Sequence, residues 1–204
     1  MSELILASGS PRRKELLAAL GLDFVVIPST VAEPNYDGRD PAKYANELAE
    51  TKALYVARQL RSGLVIGADT IVVLDGEVLG KPDSAAHAVD MLSRLSGRSH
   101  TVYTGLAVID AATGELEQEV VATEVKFRHL TAAEIDLYVR SGEPMDKAGA
   151  YGIQGLGAVF IQSIQGCYYN VVGLPLSALD QLLKRFNFAI LQKERDHDQR
   201  IKQS

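Results

Sequence analysis

Leu64-Val65-Ile66-Gly67-Ala68 is apolar at every position rather than at alternate ones, and Thr70 to Leu74 prolongs the extended stretch as far as Asp75-Gly76. A strand that is apolar on both faces has to be covered on both, which puts it inside an α/β sheet with helices above and below. Asp75-Gly76 is a strong two-residue hairpin signal, so the chain doubles back there. One residue breaks the pattern. Asp69 brings a carboxylate into a run where an unpaired charge is costly, and α/β folds commonly expose such side chains at strand ends. A turn or capping aspartate is the lesser alternative at this position.

The elements around this strand follow from local signals. Leu4-Ile5-Leu6-Ala7 predicts a short buried strand broken by Ser8-Gly9-Ser10, after which Ser10 as N-cap and Pro11 at the first helical position open a helix that Gly21 ends. Phe24 to Ile27 predicts a second strand, followed by an irregular segment with Glu33, Pro34 and Gly38, and then a long helix from Asp40-Pro41 to about Leu60. A helix over Ser84 to Leu95 ends at Gly97, and strands over Thr101 to Ile109 and Glu117 to Phe127 flank a turn at Thr113-Gly114. Thr131 and Glu134 form a capping box for a helix ending near Gly142. Beyond the glycine-rich stretch, Ala158 to Ile164 predicts a strand, Gln165-Gly166 a turn, the residues up to Val172 another strand, and Pro175 to Phe186 a helix. The expected fold is therefore α/β, a mixed twisted sheet with helices on both faces, in one domain over 1–190 with a charged, frayed tail over 191–204.

A chain of 204 residues, 47% apolar and 23% charged, has the balance of an ordinary globular protein. Its net charge of −5 argues against a nucleic-acid partner held by a general positive surface, so any phosphate site has to be local. Cys167 is the only cysteine, which excludes an internal disulfide and points to a reducing, cytoplasmic setting. No apolar run approaches the ~18 residues of a membrane helix. His87, His100, His129 and His197 lack zinc-ligand spacing.

Several segments carry chemical potential. Ser8-Gly9-Ser10-Pro11-Arg12-Arg13 lies where a strand hands over to a helix N-terminus, a natural anion site to which two guanidinium groups add multidentate phosphate donors; a capped surface helix with solvated arginines fits the same spacing. Lys81, between Gly80 and Pro82, follows Asp69 closely in a loop shaped by proline. Glu33 with Asp69 would supply the oxygen ligands that Mg²⁺ or Mn²⁺ takes alongside substrate phosphates. Lys147 to Gly157 is rich in glycine, which suits either close approach to a flat ligand or turn geometry alone, and Gln154 within it can hydrogen-bond a base edge.

Taken together, Ser8-Gly-Ser-Pro-Arg-Arg13, Gly67-Ala-Asp-Thr70, Leu79-Gly-Lys-Pro82 and Asp146-Lys-Ala-Gly-Ala-Tyr-Gly-Ile-Gln-Gly155 resemble the Maf family of nucleoside triphosphate pyrophosphatases, over Leu4 to about Phe186. The resemblance implies two lobes around a deep cleft, an architecture like that of the inosine triphosphate pyrophosphatases, and a chain that is often a homodimer. It also implies that Asp69 accepts the proton and that Arg12, Thr70 and Gln154 set the substrate. All three match the dTTP/UTP branch, whereas a branch acting on 7-methyl-GTP carries Trp, Gln and Glu there.

The expected reaction is in-line attack of water on the α-phosphorus of dTTP, UTP or a modified pyrimidine triphosphate. Asp69 acts as general base or as a metal-held positioner of the water, Glu33 and Asp69 hold Mg²⁺ or Mn²⁺, and Ser8, Arg13, Lys52 and Lys81 bind phosphate. Two rival readings use the same motifs: a pyrophosphatase preferring modified purines, and a nucleotide-binding regulator of cell division with no important turnover. Gln154 with Arg12 counts against the first, and the full set of Asp69, Glu33, Lys52 and Lys81 against the second.

Overall fold

The computed structural model describes residues 3–192 apart from Glu33 and Asn35. Seven strands, β1 (Leu4–Leu6), β2 (Phe24–Val26), β3 (Leu64–Leu74), β4 (Glu77–Leu79), β5 (Ser99–Asp110), β6 (Leu116–Phe127) and β7 (Ile161–Gln165), form one mixed sheet ordered β2-β1-β3-β5-β6-β7, with β4 also pairing with β3. β1 runs parallel to β2 and β3, and the remaining pairings are antiparallel. Six helices, α1 (Pro11–Ala19), α2 (Pro41–Ala57), α3 (Ala85–Leu95), α4 (Ala132–Arg140), α5 (Tyr168–Val172) and α6 (Leu176–Arg185), cover it. Among the described residues no helix is long and apolar enough to cross a membrane.

The strand period of two assigns side chains to faces. Ile5, Ala7, Val65, Ala107 and Ile109 pack under Ala49, Ala53 and Val56 of α2, while Leu4, Leu6, Leu64, Ile66 and Leu106 pack against α1 and α6. Farther along that second face, Val72, Leu74, Val102 and Val125 meet α3 and α4 in a separate cluster. One face thus carries two apolar cores, and the apolar-on-both-sides character of β3 is explained by helices on each.

α2 lies unusually close to the sheet. A Cβ on Gly67 would stand 2.3 Å from the Ala49 carbonyl oxygen, and one on Gly105 would stand 2.2 Å from that of Ala45, distances no real side chain tolerates. Ala45, Ala49 and Ala53, at helical spacing of four, complete this contact between small residues, all fully buried. Asp40 opens α2 by accepting from the Ala42 N–H at 2.9 Å, with Pro41 in the first turn.

Two expectations need correcting. Asp69 lies within an 11-residue strand rather than at a strand end. The residues up to Val172 form the helix α5, not a strand, and Gly155–Phe160 is a 3-10 turn, so β7 begins only at Ile161. The β-branched pair Val171-Val172 suggests a strand, but tertiary bonds outweigh that preference. The Asn170 side chain donates to the Val102 carbonyl and to the Thr123 hydroxyl, and Gly173 ends the helix at φ 118°.

Candidate active site

The site originates in a gap along one edge of β3. β5 pairs with residues 64–73 on the other edge, whereas β1 reaches only to Ile66 and β4 begins only at Val72. No strand covers the stretch between, which holds Asp69 and Thr70. The Ser8–Ser10 loop and the start of α1 leave the sheet at one border of the gap and Gly80-Lys81 at the other. A cleft of about 690 Å³ opens there, lined by Ser8, Arg12, Arg13, Lys52, Asp69, Thr70, Lys81 and Gln154. Every site residue expected from sequence, Glu33 excepted, therefore meets in one cleft; Glu33 lies outside the described residues.

Adjacent residues of β3 serve opposite faces. Strand alternation turns Asp69 toward α2, and its neighbours on that face, Gly67 and the cross-strand partner Gly105, have no side chains and let the helix descend. Lys52 of α2 then forms an ion pair with the Asp69 carboxylate, both groups being largely buried. Thr70 points the other way and joins a chain of bonds with fixed direction. The Thr104 hydroxyl donates to the Asn170 carbonyl at 2.9 Å, which uses its one proton, so Thr70, 2.9 Å away, donates to Thr104. Thr70 accepts in turn from the Arg13 guanidinium at 3.1 Å. Arg13, buried, also donates to the Gly173 carbonyl at 2.7 Å and to Ser8 at 3.0 Å. α1 starts at the cleft with Ser10 at the N-cap position, although the Ser10 side chain makes no capping bond.

The opposite wall consists of 3-10 turns and glycines. Arg12 reaches across to Asp146 at 3.3 Å, and Lys147 donates to Asp146 at 2.6 Å. Burial alone would raise the pKa of Asp146, but Lys147 and Arg12 hold it below the ordinary carboxylate value. The Gly149 N–H donates to the Gly80 carbonyl at 3.0 Å, tying this wall to the loop that carries Lys81. Behind it, His100 and Tyr151 share a buried 2.7 Å hydrogen bond, and burial pushes the His100 pKa down to about 4.

The sequence motifs assign no site role to Thr104, Asn170, Asp146 or Lys147. A signal for Thr104 exists: a lone hydroxyl at an inward position between Val102 and Leu106. Asn170 offers none, since only the tertiary fold brings it to β5.

The family described as Maf-like protein matches residues 3–186. The chain belongs to the Maf family. A Maf relative from Moorella thermoacetica is 55% identical over 186 residues, covering 91% of this chain and 96% of its own length, and is named dTTP/UTP pyrophosphatase. Relatives of the same name from Desulforamulus reducens and Pelotomaculum thermopropionicum are 53% and 50% identical, each over 94% of this chain and 100% of their own length. The Maf motifs noted in the sequence thus coincide with the cleft borders: the first and third flank the gap in β3, the second fills it, and the fourth forms the facing wall.

Proposed function

We propose that this Maf chain hydrolyses dTTP and UTP to the monophosphate and pyrophosphate. The convergence of Asp69, Lys52, Lys81, Ser8, Arg12 and Gln154 on a single cleft carries this reading, and the names of relatives at 50–55% identity support it. Water attacks the α-phosphorus in line with the bond to the β-phosphate; Asp69 takes the proton, an α-phosphorus–oxygen bond forms to the water oxygen, and pyrophosphate leaves with the bridging electron pair. Lys52 orients the Asp69 carboxylate. Lys81, Arg12 and the N-terminal end of α1 stabilise phosphate charge, with Arg13 held in place by Ser8, Thr70 and Gly173.

Mg²⁺ or Mn²⁺ fits this donor set. The described residues contain no group of three carboxylate, His or Cys ligands, and such hard cations need only one or two carboxylates beside phosphate oxygens and water. Asp69, with Glu33, would hold the ion, which when bound supplies charge neutralisation at the phosphates. The reaction setting is the cytoplasm, in keeping with the single cysteine, neither nucleic acid nor membrane is a partner, and a homodimer is one candidate for the working unit.

Gln154 reads the base. Its amide offers a donor and an acceptor to a uracil or thymine edge of two carbonyls around one N–H, whereas a carboxylate only accepts. Because the Thr70 proton is committed to Thr104, Thr70 influences substrate choice by way of Arg13. A panel of nucleoside triphosphates with Mg²⁺, scored for pyrophosphate against orthophosphate, tests the activity. Pyrophosphate from dTTP and UTP is expected; binding without turnover, or a preference for modified purines, would replace this reading. Gln154→Glu should lower kcat/KM for UTP by roughly tenfold to a hundredfold and favour 7-methyl-GTP, since mispairing buried polar groups costs ~1–3 kcal/mol each.

A further inference from the structure

Gln154 occupies the N-cap position of the 3-10 turn Gly155–Phe160, yet its side chain makes no capping bond. The capping is done from elsewhere. Glu143, in the 3-10 turn Glu143–Asp146 that follows α4, accepts from the Leu156 N–H at 2.9 Å and from the Gly157 N–H at 3.1 Å, one carboxylate oxygen to each. These are first-turn N–H groups that lack partners within the turn, of the kind an N-cap side chain usually satisfies. Tyr138 of α4 completes the arrangement by donating to the same carboxylate at 2.9 Å, while the Gly152 N–H donates to the Tyr138 oxygen at 3.3 Å.

The backbone is shaped to this clamp. Gly155 has φ +77°, and a Cβ there would stand 2.7 Å from a Glu143 carboxylate oxygen; a Cβ on Gly157 would stand 2.7 Å from the Tyr138 hydroxyl. Lys147 fastens the other end by donating to the Glu143 carbonyl at 2.5 Å. Burial would raise the Glu143 pKa, but the two N–H donors, Tyr138 and Lys147 hold it below its ordinary value, so the clamp is charged near neutrality. Residues 152 to 157 are thus anchored on both sides of Gln154, and Gln154 lines the cleft.

We propose that Glu143 is a positioning residue for base selection: its carboxylate caps the turn after Gln154, which releases the Gln154 amide to face the pyrimidine and fixes where it stands. This rests on the reading that Gln154 contacts the base. Short polar side chains at an N-cap ordinarily bond their own turn; here the Leu156 and Gly157 N–H groups are already taken by Glu143, so the turn leaves the Gln154 amide no such donor to accept from. Glu143 takes over that task without touching the substrate.

The test is a double-variant cycle on UTP hydrolysis with Glu143→Gln, Gln154→Ala and their combination, scored per folded protein. Glu143→Gln keeps the shape but substitutes an amide that cannot accept from both N–H groups with its two heavy atoms. It should raise KM for UTP by roughly tenfold with a smaller change in kcat, and the double variant should be no worse than Gln154→Ala alone. Glu143→Asp should recover less than the native carboxylate but more than the amide. Losses that multiply in the double variant, or a fall in kcat at unchanged KM, would overturn the inference and leave the base-reading role of Gln154 intact. A Gln154→Ala variant with native KM would remove the base-reading role and this inference with it. Tyr138→Phe removes one hydroxyl and serves if Glu143→Gln does not fold; an unchanged UTP KM in that variant would also overturn the proposal.

Discussion

The two walls of the cleft are built by different means. On the β3 side, positions are set by regular structure: Gly67 and Gly105 let α2 settle onto the sheet, and Lys52 comes over Asp69 as a consequence of helix and strand period alone. The facing wall has no regular element to hold it, so side chains bond its backbone one group at a time, Glu143 to Leu156 and Gly157, and Tyr138 to Glu143. A sheet and a helix resist displacement through many contacts at once, whereas a clamped loop depends on a few hydrogen bonds. Under the proposed function the reacting group, Asp69, is on the first wall and the base-reading residue, Gln154, on the second. Changes to the first should cost chemistry, and changes to the second should cost discrimination.

Asp69→Asn is the strongest attempt to break that division. It should lower kcat by about a hundredfold or more, in keeping with the ~10²–10⁴ contribution of a positioned base, in a protein that still folds but melts lower because Lys52 loses its buried partner. Near-native turnover in the purified variant would take the chemistry off this wall. Gly67→Ala addresses how the wall is made: the added methyl would meet the Ala49 carbonyl at 2.3 Å and Ala53 at 2.8 Å, with backbone that cannot move aside cheaply. A loss of about 2–3 kcal/mol in denaturant unfolding is expected, together with reduced kcat as Lys52 is lifted from Asp69. If Gly67→Ala were neutral in both, the close approach of α2 would not be what positions the pair.

The third prediction sharpens the contrast from the other wall. Buried His100, bonded to Tyr151, has its pKa depressed to about 4 against the ordinary 6.5. As pH falls through 6.5 the unfolded chain takes up a proton that the folded chain refuses, so stability is lost between about 6.5 and 4, and nothing is lost above that window. The contribution is ~2 kcal/mol at pH 5 relative to pH 8. Unfolding of His100→Gln followed from pH 8 to pH 5 should show a shallower decline than the native chain by about that amount. Parallel curves would mean that His100 is already protonated or solvated in the fold.

Much of the architecture was legible because the deciding signals are local. The unbroken apolar run of Leu64 to Ala68 requires cover on both faces, Asp40-Pro41 and Ser84 mark helix starts by satisfying orphan N–H groups, and Thr131 with Glu134 forms the reciprocal cap that the spacing announces. Even the mistaken strand at Val171-Val172 had a local corrective, Gly173 with Pro175 two residues on, a combination that ends helices.

Which segments border the cleft was also visible, since Ser8–Arg13, Gly67–Thr70, Leu79–Pro82 and Asp146–Gly155 carry residue types suited to phosphate and base binding. Where those residues stand was decided by pairing at long range. Nothing in the order of residues states that β1 stops at Leu6 and β4 starts pairing at Val72, yet that mismatch opens β3 beside Asp69. Nor does it state that Thr104 relays from Thr70 to Asn170, or that Glu143 caps a turn that begins after Gln154. Strand length, helix approach and capping from a distance depend on which surfaces meet, and only the packed chain settles that, because the free energy of each contact exists only when both partners have been brought together.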